Sequence, residues 1–82
     1  MMTKNNKINY DDPKVKLYIC YHNQLTLLEE LQENIQENKK RLLYEIGVLE
    51  GIAKALTINN MNILTTKYYG FLELKNNILK EL

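Results

Sequence analysis

The ten residues Gln32–Arg41, QENIQENKKR, decide how many helices this chain has. Ile35 is their only apolar side chain, and Asn34 and Asn38 are weak helix formers. On both sides the pattern is helical. From Lys14 to Ile46 neither glycine nor proline forces a break. Apolar residues recur in steps of three and four. With heptad position a at Leu28, a clean row forms: Tyr21, Leu28, Ile35, Leu42, Leu49 and Leu56. The d row (Leu17, Gln24, Leu31, Asn38, Glu45, Ile52) is mixed, which fits a bundle helix better than a strict two-stranded coiled coil. The a row crosses QENIQENKKR without a change of register. The spacing therefore predicts one helix over about 13–57, roughly 65 Å long, with 32–41 as its weakest segment.

Outward from this helix, Asp11-Asp12-Pro13 is a strong start signal. Asp12 can cap, Pro13 suits the first helical position, and both carboxylates complement the helix dipole. Residues 1–11, rich in Lys, Asn and Thr, read as a flexible arm. Ile58-Asn59-Asn60-Met61-Asn62 reads as a turn, because asparagine tolerates unusual backbone angles and caps helices. A second helix is predicted over about 61–80, with Leu64, Tyr68, Phe71, Leu72, Ile78, Leu79 and Leu82 on its apolar face. No strand pattern competes. The expected architecture is all-α: one domain over 12–82, a long N-terminal helix and a shorter C-terminal one forming a helical hairpin.

Length and composition narrow the function. The 82 residues make one small domain and are 45% apolar, too many for a disordered chain. A net charge of +1 provides no long-range field for nucleic acid or an anionic membrane. Arg41 is the only arginine, so sites built on arginine forks are disfavoured. Asn occurs eleven times and Ile eight, usage that suggests an AT-rich genome of the kind phages and mobile elements carry. Cys20 is the only cysteine, consistent with a reducing compartment. No signal peptide or membrane span is evident, and a cytoplasmic location is expected.

Two helices of this size cannot hide so much apolar surface. Leu42, Ile46, Leu49, Ala53 and Leu56 form one apolar face, while Gly47, Gly51 and Ala55 form a row of small residues on another. Small residues at i, i+4 and i+8 let a second helix approach closely. Self-association through Leu42, Ile46, Gly47, Leu49, Gly51, Ala55 and Leu56 is expected, with a dimer forming an oligomeric helical bundle. Glu29, Glu30, Glu33 and Glu37 precede Lys39, Lys40 and Arg41. Antiparallel copies centred near Ile35 would oppose these blocks, the alternative being a solvated face with a local Glu37–Arg41 pair.

Catalytic or metal chemistry finds little support. Cys20 and His22 lie two apart, on different sides of a helix, and cannot chelate one zinc. Cys20 reads as a small core residue and His22 as a surface one. The three glycines form no phosphate-cradling loop. No catalytic residue, metal, cofactor or small-molecule substrate is expected. Tyrosine outnumbers phenylalanine six to one, and tyrosine suits surfaces where one end of the ring stays wet. Tyr18, Tyr21, Tyr68 and Tyr69 are therefore candidates for a partner surface.

Two resemblances bear on this. Ile52-Ala53-Lys54-Ala55-Leu56-Thr57-Ile58 resembles the first helix and turn of a helix-turn-helix motif. The resemblance implies a small dimeric DNA-binding regulator using residues 52–71, with Asn60, Thr65, Thr66 and Lys67 facing the major groove. Thr57 in place of the usual turn glycine and Thr66 in place of an apolar residue depart from that motif. In size and helix order the chain is also similar to the small two-helix sporulation phosphatases. The Ser-Gln-x-x-Asp signature of their second helix is absent from LTTKYYGFLEL (64–74), so that assignment is not made. The leading expectation is a non-enzymatic helical interaction module: an adaptor, inhibitor or assembly factor that binds itself and another protein.

Overall fold

The structure, a computed structural model, describes residues 9–82. Most of the arm expected over 1–11 lies outside the described residues; Asn9, Tyr10 and Asp11 are exposed. The described chain is all-helical, with α1 Pro13–Gln32, α2 Ile35–Ile58 and α3 Thr66–Glu81.

α1 begins as its sequence dictates. The Asp12 carboxylate accepts from the Lys14 N–H at 2.9 Å, and Pro13 occupies the first turn.

The helix expected over 13–57 is broken. Glu33 keeps helical angles, but Asn34 (φ −137°, ψ 75°) leaves the helical region and the chain reverses. Contacts nest around this two-residue connection. Asn38 Nδ2 donates to the last-turn carbonyl of Leu31 at 3.0 Å, and Gln24 Nε2 donates to the Glu45 carbonyl and carboxylate at 2.8 Å. Nested contacts of this kind mean that α1 and α2 run antiparallel.

The reason for the break is burial. A straight helix would leave the a row in water over its whole length. Folding back sets Tyr21, Leu25, Leu28 and Leu31 in the same core as Leu42, Ile46, Leu49, Ala53 and Leu56. Each large apolar side chain so buried contributes about 1.5–3 kcal/mol. The few helical hydrogen bonds interrupted at 33–34 are worth about 0.5–1.5 kcal/mol each. Ile35, beside the break, is the one member of the a row left half-buried.

The second junction is longer than the expected 58–62. Asn60 adopts φ +64° and ends α2 with a Schellman motif: its N–H donates to the Thr57 carbonyl at 2.9 Å, and the Met61 N–H donates to that of Leu56 at 3.0 Å. Ile63 then drops into the core. Thr65, rather than an asparagine, caps α3, its hydroxyl accepting from the Tyr68 N–H at 3.3 Å. α3 returns along α2, held by Lys75–Glu50 (2.6 Å) and Lys39–Glu81 (2.5 Å). Thirteen residues close one core; all are aliphatic or aromatic, and the tyrosines Tyr21 and Tyr68 bring its only side-chain polar atoms among the described residues.

Candidate functional site

The seam between α1 and α3 is the open one. It is pinned at two points. The buried Tyr21 hydroxyl donates to the Ile63 carbonyl at 2.8 Å, and Lys67 pairs with Glu29 at 2.8 Å across the seam. A hollow lies on each side of that ion pair. One, about 410 Å³, is lined by Tyr18, Tyr21, His22, Leu25 and Thr26 from α1 and by Asn62, Ile63 and Thr65 from the junction. The other, about 320 Å³, is lined by Gln32, Ile35, Gly70, Phe71 and Leu74. Glu29 and Lys67 border both. A third hollow, about 420 Å³, lies on the outer side of α1 between Tyr10, Val15, Tyr18, Ile19 and His22. Tyr18 and His22 separate it from the seam, their rings edge-to-face with centroids 4.5 Å apart.

The four candidate tyrosines therefore divide. Tyr18 and Tyr69 are exposed and available to a partner. Tyr21 and Tyr68 are core residues. Burial pushes the Tyr21 hydroxyl above the usual phenol range, opposed by a hydrogen bond with the Thr65 side chain. Burial also raises Tyr68, reinforced by the nearby Glu50 carboxylate and Tyr69 and opposed by Lys75.

The residues expected for self-association divide as well. Leu42, Ile46, Leu49 and Leu56 are sealed in the chain's own core, because α1 supplies the covering that a second subunit was expected to supply. Gly47 and Gly51 are exposed and Ala55 is half-buried, and α2 turns this row outward. Three members of the charge blocks find ion-pair partners in the chain. Glu29 meets Lys67, Lys39 meets Glu81, and Arg41 pairs with Glu45 (3.6 Å) rather than Glu37.

The groups expected to face DNA are arranged differently from a helix-turn-helix. Seven residues, Asn59–Thr65, join α2 to α3, where that motif uses a turn of about three to four. Asn60 serves the α2 terminus, Thr65 caps α3, Thr66 is exposed at its first turn, and Lys67 is engaged by Glu29.

Cys20, expected in the core, is exposed on α1, since the core side of the helix is taken by Tyr21, Leu25 and Leu28. His22 is exposed. Among the described residues no three His, Cys, Asp or Glu side chains gather as metal ligands, and no helix is long and apolar enough to cross a membrane.

Sequence reasoning missed Tyr44 and Ile58, both strongly exposed on the outer side of α2. Their signal was present: with Gly51 they are spaced seven apart. Comparison with protein-family models, curated proteins and solved structures finds no match.

Proposed function

We propose that this chain is a non-enzymatic, cytoplasmic helical interaction module that associates with itself and docks an apolar segment of another protein along the α1–α3 seam. The observation that carries this reading is the seam itself. Two largely apolar hollows flank the Glu29–Lys67 ion pair, beside a core in which, among the described residues, no buried side-chain polar atom lacks a partner. A partner segment would place one large apolar side chain in each hollow, astride Glu29–Lys67. Exposed aromatic side chains such as Tyr18 favour such contacts, because they bring large area at small entropic cost.

The test is site-specific photo-crosslinking of the full chain in extracts of its source cells. A crosslinker at position 26, inside the seam, is expected to capture a discrete partner. The same group at position 54, on α2, is expected to miss that partner, and Tyr18→Asp is expected to abolish the capture while leaving helicity unchanged. Equal capture from both positions, or none from position 26, would overturn the reading. Binding to bulk DNA duplex that weakens steeply with added salt would replace it with the regulator reading.

A further inference from the structure

Among the described residues, none buries the outer face of α2. Tyr44 and Ile58 stand 70% and 73% exposed. Between them lie three small residues, the exposed Gly47 and Gly51 and the half-buried Ala55. Residues seven apart nearly share one line along a helix, so Tyr44, Gly51 and Ile58 form a single stripe. A Cβ added at Gly47 or Gly51 would meet nothing within 4 Å. Among the described residues no contact therefore asks for glycine there, although glycine weakens a helix relative to alanine.

We propose that a second copy of this chain docks antiparallel on this stripe, with the two-fold axis at Gly51. This rests on the self-association reading above and specifies its surface. The stripe is symmetric about Gly51: Gly47 and Ala55 lie four residues to either side, Tyr44 and Ile58 seven. A two-fold interface needs such self-complementarity. Two helices touching at Gly51 diverge toward their ends, because packed helices cross at an angle. The small residues permit the close approach at the centre. Each Tyr44 and the partner's Ile58 fill the widening gap.

Charge selects the antiparallel direction. Lys40 and Arg41 are exposed just before Tyr44, and the last turn of α2 holds no basic residue. An antiparallel copy brings these cations toward the negative end of the partner helix. A parallel copy would bring Lys40 and Arg41 toward their own counterparts.

The test is the mass of the full chain by sedimentation equilibrium, with circular dichroism confirming the fold of each variant. The parent chain is expected to be a dimer. Gly51→Leu and Tyr44→Glu are each expected to keep their helicity and to raise the dimer dissociation constant by at least about tenfold. Register is read by disulfide trapping in a Cys20→Ser background. Gly51→Cys is expected to crosslink to its own counterpart. Gly47→Cys alone is expected not to, because its counterpart lies about 12 Å away along the axis. Adding Ala55→Cys to it restores the crosslink. A monomer at all concentrations overturns self-association itself. A dimer indifferent to both Gly51→Leu and Tyr44→Glu, or crosslinked through Gly47→Cys alone, overturns only this surface.

Discussion

The two faces of α2 both carry uncharged residues at helical intervals, yet one is buried and the other is exposed. The inner face, Leu42, Ile46, Leu49, Ala53 and Leu56, is sealed from water by α1 and α3. The outer face, with Tyr44, Gly47, Gly51 and Ile58, is open. Both repeat at near-helical intervals. They differ in shape. The inner row is four branched aliphatic side chains and one alanine, packed into the shared core, as a dense interior requires. The outer row alternates bulk with absence, and it stays exposed among the described residues. An apolar period therefore identifies a stripe, while side-chain volume along it tells which kind of surface it meets.

The difference is broken most directly at Leu49. Leu49→Ala is expected to lower unfolding free energy by about 2–5 kcal/mol in urea titration, through lost burial and a cavity. A loss no larger than that of an exposed residue would mean the inner face is not the core.

Tyr21→Phe comes next. It removes the hydroxyl that satisfies the Ile63 carbonyl at the α1–α3 seam. An unpaired buried acceptor costs about 1–3 kcal/mol, so the loss should fall in that range and exceed the effect of Tyr69→Phe.

Alkaline pH probes the same contacts. The folded-state values of Tyr21 and Tyr68 are raised above 10.0. The unfolded chain then loses these protons first. The stabilisation is fully present below the ordinary phenol value and is lost as pH rises through the raised values. Unfolding midpoints by circular dichroism should decline above about pH 10, and less steeply in Tyr21→Phe. An identical decline in that variant would remove Tyr21 as a cause.

The smallest expected effect has the opposite sign. Gly51→Ala adds a Cβ in open space and should stabilise the isolated chain by about 0.5–1 kcal/mol. The measurement is unfolding at concentrations where the chain is monomeric. Destabilisation there would show that Gly51 is in contact within its own chain.

Legibility in the sequence followed the range of the forces involved. The α1 start was readable because Asp12 and Pro13 act on neighbouring backbone groups. The asparagine turn after α2 was readable in place, since Asn60 supplies the left-handed residue that ends a helix. The later start of α3 was not, because Ile63 is buried in the core and its carbonyl accepts from the hydroxyl of Tyr21, 42 residues away. The seam was only half legible. Six tyrosines signalled a surface, but which of them face outward depends on how three helices share one core.

By itself the sequence determined that this chain is helical, where its first helix begins and which residues form the inward row from Tyr21 to Leu56. It could not determine whether that row meets another molecule or itself. A seven-residue repeat reads the same whether a helix continues or doubles back on its own stripe. Tertiary structure decided the matter at Asn34, where a small local cost is outweighed by burying both halves of the row against each other. The same reversal turned Gly47 and Gly51 outward, leaving α2 with one face closed and one face open.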